Sequence, residues 1–501
     1  MKILSDQQLR EADEFTVLNN SISSLDLMER AASACVDWII AHLEKNSSIK
    51  IICGCGNNGG DGLAIARLLS EKEFSVEVFV IMHSDKFSEN FIANKKRLSE
   101  KNILLQEISE VSEINFSKKD FVIDAIFGIG LNRNVEGIAK DVIGKINKSP
   151  VTVISIDIPS GLKSEGKQDF TKSAIVNADY TLTFQSPKFS FLFPNSGQFV
   201  GEFFVMDIGL NPHFIEEQKT SNFYVTRNFI QPNFIPRKKF SHKGIFGHVF
   251  LLSGSYGKMG AAVLAAKACL RSGAGLVTVH IPRCGYEIMQ TAIPEAMVEC
   301  DSSDEFITEI NSLEKYTTIA VGPGIGMEKQ TQNILKLLIQ NTKTPMVIDA
   351  DAINILSDNK TWLAFVPPNS IYTPHPKEFE RLVGKVEDDY ERHLLQKEFS
   401  IKNNAFVVLK GANTAISCPD EEVYFNSTGN PGMSKAGNGD ALTGIIAALL
   451  ANGYEPKKAA VLGVYLHGLA GDLSADKHSQ EAMLASDLIE SLGTAFQKIF
   501  F

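Results

Sequence analysis

The chain has 501 residues, 44% hydrophobic and 22% charged, with 37 Gly and 18 Pro. That is the profile of a folded globular protein, long enough for two or three domains at ~150 residues each. Its 59 acidic and 49 basic residues leave a net charge of −10, which offers no basic field to a nucleic-acid backbone and excludes that partner class. No apolar run approaches the ~18 residues of a membrane span, and the first ten residues turn polar before a signal core could form. The seven cysteines are scattered, without a C-x-x-C pair. A soluble, cytoplasmic protein with neither a disulfide framework nor a zinc site is therefore expected. Cys53 and Cys55, the one close pair, read as buried structural thiols.

In chain order, Ser5 and Gln8 stand at capping-box spacing and open a helix, and Leu25 to Leu43 forms a second amphipathic stretch. An apolar run at Ile49–Cys53, a Gly-rich loop, a helical stretch at Leu63–Glu71 and a β-branched run at Ser75–Met82 make a βαβ unit. Strand-like runs follow at Phe121–Phe127, Val151–Ile158, Tyr180–Phe184 and Phe203–Ile208, predicting a mostly parallel sheet covered by helices on both faces. The periodicity fades between Gly209 and Lys243, where Pro212, Pro232 and Pro236 lie. A boundary near 215 to 230 is expected, separating domains over 1–215 and 225–501. Strand-like runs resume at Val249–Leu252, Leu276–Ile281, Thr317–Val321, Met346–Asp349 and Phe406–Lys410, with helical stretches at Ala261–Ser272 and Thr331–Gln340. A second α/β layered domain is the economical reading.

Gly54-Cys55-Gly56-Asn57-Asn58-Gly59 fits G-x-G-x-x-G after a strand, and Glu77 lies near the spacing of a ribose-binding acid. Asp61, however, would face the pyrophosphate of an ordinary dinucleotide, and this like-charge contact disfavours a dehydrogenase. The loop suits a polar ligand together with a cation. Asp124 and Asp157 close two further strands, at the carboxyl ends where ligands of open α/β sheets collect. Either could instead simply cap a helix, but three polar loops at successive strand ends favour a site.

Asn57-Asn58-Gly59-Gly60-Asp61-Gly62, Asp124-Ala125-Ile126-Phe127-Gly128 and Asp157-Ile158-Pro159-Ser160-Gly161 together resemble the NAD(P)H-hydrate epimerase domain, over roughly residues 1 to 215. The resemblance implies a Rossmann-like fold. It implies that Asn57, Asn58, Gly59, Gly60 and Asp61, then Gly128, Ile129, Gly130, Leu131, Asn132, Arg133 and Asn134, then Asp157, bind the hydrated nucleotide. It also implies that Asn58, Asp124 and Ser160 hold potassium, for which an oxygen-rich, weakly charged shell is suitable. Asp157 is the candidate for proton exchange.

In the second half, Gly437-Asn438-Gly439-Asp440 leads into a helix predicted over Ala441–Leu450. Backbone N–H groups of such a turn form an anion hole for a moving phosphoryl group, with Asp440 placed to take a proton from an attacking hydroxyl. No Walker-type G-x-x-x-x-G-K-[ST] is present, which excludes a P-loop enzyme.

Ser241-His242-Lys243-Gly244, Gly322-Pro323-Gly324-Ile325-Gly326, Asp349-Ala350-Asp351-Ala352, Thr373-Pro374-His375-Pro376, Lys410-Gly411-Ala412-Asn413-Thr414 and Asn430 to Asp440 are similar to the ribokinase-like ADP/ATP-dependent NAD(P)H-hydrate dehydratases. This covers about residues 225 to 501. The resemblance implies that Ala261, Gly324, His375 and Asp440 contact the hydrated nucleotide, and that Lys410, Gly411, Ala412, Asn413, Thr414 and Gly439 hold ADP or ATP with magnesium. Lys435, Asn438 and Lys377 stand where the family pattern has Thr, Ser and Gly. Asp349 and Asp351 fit either a cation-binding pair or a structural strand-end turn.

The fold expected is thus two three-layer α/β/α domains. The activity expected is epimerisation and nucleotide-dependent dehydration of hydrated NAD(P)H by a homo-oligomer acting on small molecules. A ribokinase-like small-alcohol kinase fused to a non-catalytic Rossmann-like module is the alternative.

Overall fold

The computed structural model describes every residue except Asn132 and Phe501. The described chain divides into two units, Lys2–Thr220 and Ser221–Phe501 with Met1.

In the first unit seven parallel strands, β1 (Ser48–Cys53), β2 (Ser75–Ile81), β3 (Leu105–Ile108), β4 (Asp120–Ala125), β5 (Thr152–Ile156), β6 (Tyr180–Phe184) and β7 (Glu202–Met206), lie in the order 3-2-1-4-5-6-7. Strand order reverses between β1 and β4, the crevice where doubly wound sheets take ligands. Both faces are covered, so apolar residues of β1 point to both sides, with Lys50 the charged exception, paired with Glu77. Ile49, Ile51 and Cys53 pack with Ala32, Val36 and Leu63 on one side, while Ile52 packs with Val142 and Ile146 on the other.

The predicted capping box at Ser5 and Gln8 is present. One expectation fails: the helix after β1 begins at Asn57 rather than Leu63 and contains Asn57–Gly62 in its first turns. The glycines explain why. A Cβ on Gly59 would lie 1.9 Å from the Gly54 carbonyl oxygen, and one on Gly62 would lie 2.7 Å from the Ala125 side chain. They let this helix sit directly on the strand ends, where any side chain would push it away.

The second unit carries ten strands: β8 (Asn222–Val225), β9 (His248–Leu252), β10 (Leu276–Ile281), β11 (Met297–Cys300), β12 (Thr318–Val321), β13 (Met346–Ile348), β14 (Ile371–Tyr372), β15 (Phe406–Leu409), β16 (Ala415–Ser417) and β17 (Val423–Asn426). Their order is 11-10-9-12-13-14-15-16-17-8, parallel except for the β15–β16 and β16–β17 pairings. Val249 and Leu251 enter one core with Ala265, Ile445 and Leu462, and Phe250 and Leu252 enter the other with Leu335 and Ile353. The helix Asn438–Ala451 packs closely on Met259–Arg271, since Gly444 lacks the Cβ that would lie 2.1 Å from the Ala265 carbonyl oxygen.

Among the described residues, no helix is long and apolar enough to cross a membrane, and all seven cysteines are free thiols. Cys53 and Cys55 are buried, and burial pushes both thiols above their ordinary range.

Candidate functional site

The carboxyl ends of β1, β4, β5 and β6 open into a cavity of about 720 Å³. Asn57, Asn58, Asp61, Gly128, Ile129, Gly130, Leu131 and Asp157 line it. Gly59 and Gly60 do not: they are turned against the Gly54 backbone and the Met28 side chain, so they place the helix rather than the ligand. Arg133 and Asn134 are exposed and absent from the lining. Asn132 lies outside the described residues.

Asp157 follows β5 with φ +67°, a conformation that costs about 1–3 kcal/mol in a non-glycine residue and persists where the surroundings impose it. Its Oδ1 meets the Lys188 ammonium at 2.8 Å, and both side chains are buried. Lys188 also donates to the carbonyls of Phe184 and Ser186, so this buried charge is paired and hydrogen-bonded as such a group must be. Three more carboxyls border the cavity, those of Asp13, Glu14 and Asp61. Burial, reinforced by the charges of Asp157 and Asp13, pushes Asp61 well above the carboxylate range. Asp13, on the helix Asp6–Asn19, is pushed up to about 7 by burial and by Asp157, with Lys188 opposing.

Asp124 is fully buried beneath this site. Its oxygens accept from the Ser155 and Ser160 hydroxyls at 2.8 and 2.5 Å and from the Ser160 and Ile126 N–H groups at 2.9 and 3.3 Å. Burial still raises it, against these bonds. The Ser160 hydroxyl in turn accepts from the Phe127 N–H at 2.8 Å. Asn58 donates Nδ2 to the Ile156 carbonyl at 2.8 Å, leaving its buried Oδ1 with no partner. Asp124 and Ser160 are thus joined directly, while Asn58 is held at the end of β5 with its buried Oδ1 unsatisfied. Glu77 is not in the cavity; it lies on β2 with Oε1 3.0 Å from Lys50.

In the second unit a cavity of about 600 Å³ is lined by His375, Lys410, Gly411, Ala412, Thr414, Lys435, Asn438 and Gly439. Asn413 is half-buried and outside the lining. Gly437 caps the helix Asn438–Ala451 at φ +95°, so this helix begins three residues before the expected Ala441 and its first-turn N–H groups belong to Asn438, Gly439 and Asp440. Lys410 Nζ lies 3.1 Å from Asp349 Oδ1, and a Cβ on Gly439 would stand 3.2 Å from that ammonium. Glycine keeps the helix end open to it.

Asp349 Oδ2 accepts from Thr443 at 2.8 Å. Asp351 Oδ2 accepts from the Gly326 N–H at 2.9 Å and faces Lys258 at 3.4 Å. Gly324 (φ +66°) brings its backbone against Ala261, whose Cβ would be 3.1 Å from a side chain there. Asp440 lies among these groups: burial, then the charge of Asp349 and that of Asp351, push it up to about 7 against the pull of Lys410. His375 is the N-cap of Pro376–Val383, its Nδ1 accepting from the Lys377 and Glu378 N–H groups; burial lowers its pKa. Lys435 Nζ donates to the Gln480, Glu481 and Met483 carbonyls, and Asn438 Nδ2 donates to that of Met433.

Sequence reasoning overlooks Arg10, Asp13, His83 and Lys188 in the first cavity and His467 in the second. Lys188 was within reach, since it follows β6 and the rule of carboxyl ends applies there as at β4 and β5. Asp13 and Arg10 carry no local signal, because a polar residue on a helix reads as a solvated face. His467 is half-buried, desolvation pushes its pKa down to about 4, and its Nε2 lies 2.9 Å from the Asn438 carbonyl.

Comparison with known proteins adds two matching family models: one described as NAD(P)H-hydrate dehydratase over residues 249–493, the other as YjeF-related protein N-terminus over residues 24–190. A bifunctional NAD(P)H-hydrate repair enzyme of Moorella thermoacetica is 35% identical across 98% of this chain and 96% of that one. An ADP/ATP-dependent NAD(P)H-hydrate dehydratase of Bacillus subtilis, co-crystallised with ATP and Mg2+, has a TM-score of 0.50 and 31% identity, covering 55% of this chain and 98% of its own. A ribokinase-like superfamily protein of Enterococcus faecalis has a TM-score of 0.50 and 30% identity, covering 56% and 98%.

Proposed function

The chain belongs to the bifunctional NAD(P)H-hydrate repair enzymes, and on that premise we propose where and how each of its two reactions runs. It interconverts the R and S forms of hydrated NAD(P)H and returns the S form to NAD(P)H at the expense of ADP or ATP. Dehydration is assigned to the groups around Asp440 and epimerisation to the cavity around Asp157. Each reaction is assigned to one of the two units, which divide at Thr220 and Ser221.

Hydration leaves a hydroxyl on the ring carbon beside the ring nitrogen, and hydroxide is a poor leaving group. Asp440, with its carboxyl pushed up to about 7, is suited to take that hydroxyl's proton near neutral pH as the oxygen attacks the terminal phosphorus. The placing of Asp440 in the first turn of a glycine-capped helix, within the field of Lys410 and Asp349, is the observation that carries the reading. The Asn438 and Gly439 N–H groups stabilise the phosphoryl group in transit, with Lys410 as the adjacent cation. The ring nitrogen lone pair then expels phosphate. Ala261, Gly324 and His375 frame the substrate, and Lys410 to Thr414 the nucleotide.

Magnesium bound with the nucleotide would offset its polyphosphate charge. Asp349 and Asp351 already face Lys410, Thr443 and Lys258, a donor set that fits an ion carried mainly by phosphates and water.

In the first domain, epimerisation needs a proton given to the departing hydroxyl and one removed from the returning water. Asp61, whose carboxyl burial pushes up, and Asp157, braced by Lys188, are the carboxyls placed for this exchange. Potassium would supply a fixed positive charge beside the bound nucleotide, with the Asn58 Oδ1, Ser160 and Asp124 as its oxygens. The partners are small nucleotides rather than nucleic acid, the protein works in the cytoplasm, and it assembles from copies of itself.

Incubation with hydrated NADH and either ADP or ATP, followed by NADH absorbance, tests the reading. The S form should be consumed whenever nucleotide is present, and the R form at the pace of epimerisation. Accumulation of a stable phosphorylated product would point to a small-alcohol kinase instead.

A further inference from the structure

The charges lining the first cavity constrain which way a dinucleotide can lie in it. Asp13, Glu14, Asp61 and Asp157 border the cavity, and Lys188, one of two lining cations, is bound to Asp157 at 2.8 Å. A pyrophosphate brought to that end would meet a group of carboxyls whose neighbouring cation is already bound to Asp157. The other lining cation is Arg10. Asp13 and Glu14 stand three and four residues beyond it on the same helix, the spacing at which a guanidinium ordinarily pairs with a carboxylate. Arg10 makes no ion pair among the described residues. It reaches instead to the opposite loop, where a Cβ on Gly130 (φ +97°) would lie 2.1 Å from Nη2. The guanidinium thus rests against the backbone of this loop.

We propose that Arg10 is the phosphate-binding residue of the first cavity, taking the pyrophosphate of the hydrated dinucleotide against the Gly128–Gly130 backbone and so directing the hydrated ring toward Asp157. The planar fork of Arg matches phosphate oxygens, and N–H groups of a glycine-rich loop complete the shell. This rests on the reading of the cavity as the epimerase site.

The test uses the full chain and the separated R and S hydrates of NADH, of NADPH and of reduced nicotinamide riboside, the last carrying no phosphate. Arg10→Ala is expected to raise KM for epimerisation of both dinucleotides roughly 10-fold or more, with kcat within about twofold. Arg10→Lys should recover part of the loss. The riboside hydrate, a poor substrate throughout, should be epimerised alike by wild type and variant. ADP-dependent dehydration of the S form should be unaffected, which reports that the variant is folded. Unchanged KM for both dinucleotides would overturn the assignment. So would a loss confined to NADPH hydrate, which places the 2′-phosphate at Arg10, or an equal loss with the riboside, which makes the effect structural. Failure of the wild type itself to epimerise would instead remove the epimerase reading of the cavity.

Discussion

Asp157 and Ala350 both hold a left-handed backbone, φ +67° and +46°, one residue beyond β5 and two beyond β13, and each strained position adjoins a carboxylate assigned to chemistry or support. Asp440 carries a different cost, a carboxyl kept among other carboxylates. Asp440→Asn is expected to lower nucleotide-dependent dehydration by at least 10³-fold while leaving epimerisation intact, as measured by NADH recovery and by separation of the R and S forms. In the wild type, kcat/KM for dehydration should fall as pH drops below about 7, where the base becomes protonated. The same shift has a stability consequence of definite sign. A carboxyl whose folded pKa stands at about 7, above its ordinary 3.8, binds its proton more tightly when folded, so it costs stability progressively as pH rises from about 4 to 7. Asp440→Asn should therefore stabilise the fold at pH 8 and not at pH 4, by about 1–2 kcal/mol once partial exposure to water is allowed for, with a higher melting temperature at pH 8. A thermal melt of both proteins at the two pH values decides it. Asp124 presents the opposite case. Removing it in Asp124→Ala leaves two hydroxyls and two N–H groups without their acceptor, an expected loss of roughly 2–4 kcal/mol. If Asp124 also serves potassium, the half-saturating potassium concentration for epimerisation should rise, measured at a temperature where the variant is fully folded. An unchanged value would confine Asp124 to holding Ser160.

The helix Asn57–Glu71 is where glycine chemistry and function meet, and it can be tested as an element. Gly59→Ala puts a methyl 1.9 Å from a backbone oxygen that cannot move without displacing β1. It should lower the stability of the first domain by several kcal/mol and abolish epimerisation, with dehydration retained. Activity assays of both reactions on the one variant check this. The same helix shows the reach of the sequence. The strands β1, β4, β5 and β6 are legible because they are rich in apolar and β-branched residues, and Asp124 and Asp157 mark the ends of β4 and β5. The helix start was misplaced because six residues containing three glycines read as a loop, and only the close approach to Gly54 and Ala125 reveals them as helix. β3 and β14 are too short, four and two residues, to carry a pattern. The helix Pro456–His478 lacks an amphipathic stripe because Ala459 to Leu466 are buried consecutively, so no 3.6-residue period exists to be read. In the second site Gly437, Gly439 and Asp440 were legible from their spacing, whereas the Lys410–Asp349 contact joins residues 61 apart in sequence and is created only by the sheet.

β8 makes the position of any cut between the domains consequential. It lies in the segment where apolar periodicity fades, yet it pairs in parallel with β17 from Asn222 to Val225 and forms the edge of the ten-stranded sheet. Phe223 stacks on Tyr424 at 5.0 Å, and Val225 and Ile230 are buried in the core of the second unit. A fragment beginning at Ser221 keeps this strand, and one beginning at Arg227 exposes the backbone groups of β17 together with the apolar surface that β8 covers. Unpaired edges of that kind recruit other chains. The fragment 221–501 is therefore expected to be soluble and to dehydrate the S form at a rate within a few-fold of the full chain, because every group assigned to that reaction lies within it. The fragment 227–501 should melt several degrees lower and aggregate on concentration, as read by thermal denaturation and light scattering. Equal stability of the two fragments would show that β8 contributes no closing contact. A folded 221–501 that fails on the S form would show instead that the dehydration site draws a residue from the first 220.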